Sequence, residues 1–453
     1  VFDAESLEPL PGASVISTKH LQHGITANEN GAFEFGFTKN DTLLVNFIGY
    51  TPKKISATEN ENCFLRIHLD PVAHTIKEIE VKAERIIAEE FTIRKIRKLD
   101  IYTNPSAKAD PILAVNSMPS ATTVDESANI SLRGSSPAET GIFLNNVPIN
   151  DAVRYSQMNG IGTFSIFNTA LVNNVQVYPG NPPLEYGNST SGLIALQTDE
   201  NIPERATNTI SLTLASTGFY TSRKLTKQSS LTLFTNYQPS ALIRSVNSKA
   251  LSDLKHFSSL DLGLHYFAKL RGNGVVKIFN YALRESYKFH YPQPSYHGNF
   301  TQSKMRNFTV GNIRKRIKNT EISFNQGISF SKAQYHYGTT DIDLKLQDLF
   351  SSINIHKTGK TSEWKTGISY DRKSSAFDGT FPAYDFAAGE NHPVTSAVAS
   401  HHVGNPEWYG YLKQYLGNKI IVGGGVRKNI VVNNLKNYLS AQGNIHYRPW
   451  NGW

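Results

Sequence analysis

The stretch LDLGLHYFAKL, residues 260–270, decides the fold. Read with a period of two, it sets Leu260, Leu262, Leu264, Tyr266, Ala268 and Leu270 on one face. Asp261, Gly263, His265, Phe267 and Lys269 fall on the other. EISFNQGISF (321–330) repeats the pattern, with Ile322, Phe324, Ile328 and Phe330 against Ser323, Asn325, Gly327 and Ser329, and YLSAQGNIHY (438–447) follows suit. Runs of about ten residues, apolar on one face and polar on the other, are the mark of a transmembrane β-barrel. A soluble sandwich would show shorter strands and a less polar second face.

The connections agree. Tight turns are read at Arg271 to Gly274, Lys318-Asn319, Thr358 to Thr361 and Gly417-Asn418-Lys419, and long loops at about 286–303, 334–347 and 377–406. Short turns at one end and long loops at the other are the outer-membrane asymmetry. The parity requires TISLTLAS (209–216) and FYTSRKLT (219–226) to be two strands, which gives about twelve strands by residue 448. YRPWNGW (447–453) reads as one more tight turn.

Composition supports a strand-and-turn protein. Of 453 residues, 18% are charged, below the roughly 25% of soluble domains, while Tyr and Phe number 21 and 24. The length suggests about three domains. A single cysteine, Cys63, excludes an intramolecular disulfide or a cysteine-based zinc site and reads as a small buried thiol. The net charge of +9 is spread thinly, which speaks against nucleic acid as a partner. No run approaches the roughly 20 apolar residues of a membrane helix. The chain starts inside a pattern, VFDAESLEPLPGASV, so its N-terminus is read as processed or trimmed. TGKTS (358–362) mimics the end of a phosphate loop, but Asn354 stands where the motif needs glycine, and the segment lies in a hairpin. With no nucleophile elbow, no zinc-protease motif and no triad, neither catalysis nor a cofactor is expected.

Residues 1–72 read as a small all-β domain: GASVISTKH, GAFEFGF, TLLVNFIGY and CFLRIHL, separated by turn residues. Through EPLPGASV, TANENGAFEFG and LLVNFIGY this segment resembles the carboxypeptidase-regulatory-like, transthyretin-type β-sandwich, which is not a peptidase. Residues 73–95 form a charged linker in which IKEIEV alternates as a strand added to a partner's sheet edge would. Residues 96–203 hold short strands in NISLRG, GIFLNNVPI, VNNVQVYPG and GLIALQT, and residues 204–453 hold the barrel strands.

In LRGSSPAETG, FLNNVPIND, VQVYPGNPPLEYGN and SGLIALQT the chain resembles a TonB-dependent outer-membrane receptor, of Bacteroidetes type given the domain in front. Asn145-Asn146 replace the usual Asp-Gly, and Pro179-Gly180 inverts the usual Gly-Pro. The resemblance implies an α+β plug inside a barrel of 22 strands, of which this chain supplies about half, so it is read as a fragment. It implies a cell outer membrane location among lipids. It also implies energy drawn from TonB, with the contact at Ile76, Lys77, Glu78, Ile79, Glu80 and Val81. The longer signature of starch-utilisation receptors is missing, which weakens the case for a surface lipoprotein partner. Within the plug, Gly134, Gly180, Gly187 and Gly192 are read as tight-turn positions beside Tyr186, and Arg133 as a partner of wall carboxylates.

Ligand residues are sought in the long loops and at the plug tip. Tyr291, Tyr296, Phe381, Tyr384 and Trp408 suit stacking on a sugar or catecholate ring. His290, His297, His392, His401 and His402 are metal-capable but lack ligand spacing, so no metal site is assigned. Arg154, Tyr155 and Gln157 lie in the plug loop expected to face outward; ordinary loop packing is the plainer reading of all of these. Two functions remain: import of a scarce nutrient (siderophore, cofactor, oligosaccharide or peptide), or a non-transporting structural subunit of a larger outer-membrane assembly.

Overall fold

The structure, a computed structural model, describes residues 1–18, 24–36, 41–56, 65–71, 94–123, 127–155, 162–187, 189–214, 216–249, 251–294, 296–384, 388–389, 392–417, 420–430 and 437–447. Cys63 and the segment Ile76–Val81 lie outside the described residues. The chain divides into two units, Val1–Glu84 and Arg85–Trp453.

In the first unit, Ser14–Ser17 lies between Gly24–Thr26 and Thr42–Asn46 in an antiparallel sheet closed by Lys53–Ser56, while Phe2–Asp3 runs parallel to His68–Leu69. Alternate residues Val15, Leu43 and Val45 point into a core with Ala13, Ile67 and Leu69. Residues 32–36, expected as a strand, join no ladder, and Phe33 and Phe35 pack on that core instead. The Tyr50 hydroxyl donates to the Asp3 carboxylate at 2.5 Å. That bond, with the N–H groups of Ser6 and Glu5, holds Asp3 below the usual carboxylate range.

The second unit begins with a five-stranded sheet in the order Val147–Pro148, Thr140–Leu144, Gly192–Thr198, Val172–Tyr178 and Arg94–Arg97, with the pair 140–144 and 192–198 parallel. A short helix, Lys98–Thr103, and single turns of 3-10 helix pack on it. Ile101, Ile112, Val115, Leu144, Val175 and Ile194 are among its buried residues.

Twelve antiparallel strands follow in chain order: β1 (Thr207–Leu212), β2 (Thr217–Thr226), β3 (Ser229–Pro239), β4 (Leu254–Leu270), β5 (Gly274–Gln293) and β6 (Tyr296–Ile317). The rest are β7 (Thr320–Tyr337), β8 (Thr340–Thr358), β9 (Ser362–Pro382), β10 (Val394–Leu416), β11 (Ile420–Asn429) and β12 (Leu439–Tyr447). Among the described residues β1 and β12 do not pair with each other, so the wall as described is an open sheet with β1 and β12 at its edges.

This wall is inside-out relative to a soluble sheet. One rung, read across β4 to β10, runs Phe267, Lys277, Asn312, Asn325, Ser352, Ser369, Glu407, and it faces the plug. The next rung, Ala268, Val276, Ile313, Phe324, Ile353, Ile368, Trp408, faces away. The inner rung is buried throughout; on the outer one Ile313, Phe324, Ile353, Ile368 and Trp408 are exposed. Only a hydrocarbon solvent makes that arrangement favourable. Among the described residues no helix is long and apolar enough to cross a membrane, which leaves strands untouched.

The strands overrun the expected ten residues. β4 to β10 are 17 to 23 residues long. At about 3.3 Å per residue they span far more than the roughly 25 Å of an apolar belt. The regions read as loops at 286–303 and 334–347 are therefore largely paired strand, with a turn at 338–339, and in the third region β9 runs on to Pro382 and β10 begins at Val394. The reason is an exchange of polarity. Toward this end the rung Phe257, Tyr287, Gln302, Tyr335, Ile342, Gly379, Ala397 faces inward. Its outward neighbour is His256, Lys288, Thr301, His336, Asp341, Thr380, Ser396. Without the apolar-out pattern, the extensions resemble loop in sequence.

Candidate functional site

The five-stranded domain meets the inner wall through a few short segments. Asn145 and Asn146 both take left-handed backbone angles, φ +48° and +67°, and join Leu144 to Val147 as a two-residue hairpin turn. Asparagine tolerates this conformation, so the Asn-Asn pair serves where Asp-Gly is usual. The Asn145 side chain donates to Thr198 Oγ1 (2.8 Å) and accepts from the Thr198 N–H (2.9 Å) and from Lys277 Nζ (3.2 Å). Asn312 Nδ2 donates to the Asn145 carbonyl at 2.6 Å.

Residues 150–155 are riveted most densely. Arg306 donates to the carbonyls of Asn150 and Asp151, Lys304 pairs with the Asp151 carboxylate at 2.7 Å, and Lys373 donates to Asn150 Oδ1 at 3.1 Å. Arg154 Nη2 meets Asp261 Oδ1 at 2.7 Å and Ser259 Oγ at 3.2 Å. The Tyr155 N–H donates to both Glu285 oxygens, at 3.1 and 3.2 Å, and its hydroxyl donates to Gln238. Further along, Glu200 pairs with Lys277 and Arg314, each at 2.9 Å. Burial pushes the Glu200 carboxyl up, but the two cations outweigh it and hold it below its usual value. Lys365 pairs with Glu185, and Arg427, ion-paired to Glu407, donates to the Leu184 carbonyl at 2.6 Å.

These contacts place several expected residues. A Cβ on Gly192 would stand 2.5 Å from Leu132 Cδ1 and 2.7 Å from the Tyr178 carbonyl, so only glycine fits. Gly187 leaves room for the Arg427–Glu407 pair. Gly134 takes φ +71°, and Tyr186 donates to Asn146 Oδ1 at 3.0 Å. Arg133, expected to reach a wall carboxylate, instead lays its guanidinium on Gly180, within its own domain. The anchors that sequence reading missed are Asp151, Glu185 and Glu200, with Asp261, Lys277, Lys304 and Arg306 opposite. Each of these wall charges occupies the polar phase of an alternating strand, which marks it as inward-facing without naming its partner.

Above the rivets lies an aromatic vestibule on the inner face. Tyr287, Phe300 and Tyr335 form a buried cluster, with Phe257, Phe289 and Tyr337 packed on it. Tyr291 and Tyr296 are brought together by Tyr337, whose ring lies 5.8 and 5.1 Å from theirs and whose hydroxyl donates to both backbone carbonyls at 2.8 Å. Phe377 and Phe381 stack at 6.1 Å over Gly379. Tyr155 links plug to vestibule through Phe257 at 4.9 Å. Tyr384 is exposed in the following loop. Trp408 is no loop residue: it lies within β10 on the outer apolar face, beside Ile368, away from the vestibule. Gln157 lies outside the described residues. His401 and His402 are consecutive on β10 and so face opposite sides, His401 inward opposite Ser375 and His402 bonded to Ser374 at 2.7 Å, which prevents them from sharing an ion. Among the described residues no three metal donors gather.

Comparison with known proteins gives two family matches: the CarboxypepD_reg-like domain at residues 1–81 and the TonB-dependent Receptor Plug Domain at residues 96–193. No curated protein matches the chain. Among solved structures, it is similar to the ferric yersiniabactin uptake receptor of Yersinia pestis, with TM-score 0.59 and 11% identity over 80% of this chain and 63% of that one. It is also similar to the ferric enterobactin receptor of Pseudomonas aeruginosa (TM-score 0.55, 13% identity, 79% and 60%). A third is the siderophore receptor PiuA of Acinetobacter baumannii (TM-score 0.54, 10% identity, 80% and 63%). At such identities the likeness is one of fold, and the chain spans less than two thirds of each of these receptors.

Proposed function

We propose, from the premise that this chain joins a CarboxypepD_reg-like domain to the plug and strand wall of the TonB-dependent receptor fold, that it serves outer-membrane import of a scarce nutrient. The observation that carries this reading is the stacking of an aromatic vestibule directly above a plug seated on a polar inner wall. A ligand held there would lie on Tyr155, the plug residue that touches both Glu285 and Phe257. Transport then needs work from outside, since the sequence carries no complete phosphate-loop motif. About 2.3 kcal/mol per charge per 100 mV is the scale on offer, and TonB is the proposed transducer. Ile76 to Val81 are the proposed contact. Deleting them should abolish energised uptake of the ligand into cells while leaving binding to the purified receptor unchanged; uptake that persists would overturn the assignment.

One observation favours a second reading. The rivets at Asp151, Arg154, Glu185 and Glu200 suit a plug that never moves, as in a structural subunit of a larger outer-membrane complex. Purification in mild detergent followed by mass spectrometry separates the two. A co-purifying small molecule supports import, and a stoichiometric set of large proteins without one supports the subunit.

A further inference from the structure

The solved structures similar to this chain include receptors for ferric siderophores, and a ferric tris-catecholate complex is strongly anionic. The vestibule here has the opposite chemistry. Its inward-facing side chains carry no formal charge: Tyr287, Gln302, Tyr335 and Ile342 share one rung, and Phe289, Phe300, Tyr337 and Phe381 lie on the same inner face further toward the strand ends. The charges below them are already engaged, Lys304 by Asp151, Arg154 by Asp261, and Glu285 by the Tyr155 N–H. Among the described residues of this inner face, an anion would lose water and gain no cation in return. What the space offers is ring faces interleaved with neutral hydrogen-bonding groups. Tyr291 keeps 44% of its surface exposed, and Phe381 is half-buried in a near-parallel stack with Phe377, 10° between planes. Such a lining fits flat C–H faces flanked by hydroxyls.

Resting on the importer reading above, we infer that the cargo is an uncharged, hydroxylated ring compound, of the chemistry of a neutral oligosaccharide. Pyranose rings stack on Tyr291 and Phe381, and their hydroxyls bond to neutral groups beside these rings such as Gln293.

The test uses the detergent-solubilised full chain against an array of neutral and acidic oligosaccharides, with titration of a ferric tris-catecholate chelate alongside. Neutral oligosaccharides should bind, and Tyr291→Ala and Phe381→Ala should each weaken that binding about tenfold, the scale of one lost stack. Lys288→Ala, on the outward face, should leave it unchanged. Binding of the chelate or of acidic sugars alone, weakened by Tyr291→Ala, would overturn the neutral cargo and leave import standing. Neutral binding indifferent to both ring substitutions would overturn the site. If nothing binds and energised cells accumulate none of these compounds, the cargo assignment and the importer reading fall together.

Discussion

At the residue scale, the plug is held by charges that burial makes costly to leave alone. Arg154 and Asp261 are 12% and 4% exposed at their side chains. Arg154→Ala would strand Asp261 without its cation, and a buried partner left unpaired costs about 3–5 kcal/mol. Unfolding of the detergent-solubilised protein in urea should show that loss, while Arg154→Lys recovers part of it. A change under about 1 kcal/mol would mean that water replaces the guanidinium. Glu200 gives a pH signature. Its carboxyl is held below its unfolded value by Lys277 and Arg314. Its contribution to stability is therefore fully present above the unfolded pKa of roughly 4.3 and fades as pH falls through the lower folded one. Glu200→Gln should flatten that acid limb in thermal melts taken from about pH 5 down to about pH 3. A limb as steep as before would assign it to other carboxylates. Glycine matters here at Gly192 above all, where the Tyr178 carbonyl blocks any side chain.

At the element scale, the strand is the unit of meaning. β8 shows it in nineteen residues, Thr340–Thr358. Its inner face runs Ile342, Leu344, Leu346, then Asp348, Phe350, Ser352, Asn354, and its outer face runs Asp341, Asp343, Lys345, Gln347, then Leu349, Ser351, Ile353, Ile355, so the switch is broken only at Phe350 and Ser351. Phe324→Lys, on the outer apolar rung, should cost about 2–4 kcal/mol in folding into lipid vesicles, whereas Ser323→Lys, one residue away on the inner face, should cost far less. Equal costs would mean that the outer face does not meet hydrocarbon. This alternation is why the wall was legible: period-two patterning and tight turns alone specify about twelve strands and their parity. The overlong strands were not legible, because the sequence rule looks for apolar-out alternation and that ends where the belt ends. Nor were the rivets. Pairing of Asp151 with Lys304 spans 153 positions (304 − 151), and no local pattern specifies it. Trp408 misled because aromatic residues serve belt and vestibule alike, and only the phase of β10 tells them apart.

At the scale of the whole molecule, the second unit is two surfaces in contact, each unstable alone. The plug's polar exterior needs a polar wall, and the wall's inner Lys277 and Asn312 need the plug, or water, to satisfy them. Among the described residues the wall's edge strands, β1 and β12, leave unpaired backbone groups that hydrocarbon does not tolerate.

The exchange of polarity on β8 between Leu346 and Asp348 inside, and between Gln347 and Leu349 outside, draws a waterline on the protein. Because Cys63 is the sole cysteine, a Cys63→Ser chain is a blank ruler on which single cysteines can be set rung by rung. A bulky, impermeant thiol reagent applied to intact cells should label position 343 and spare position 353. The membrane's own thickness would then be read from where the labelling stops.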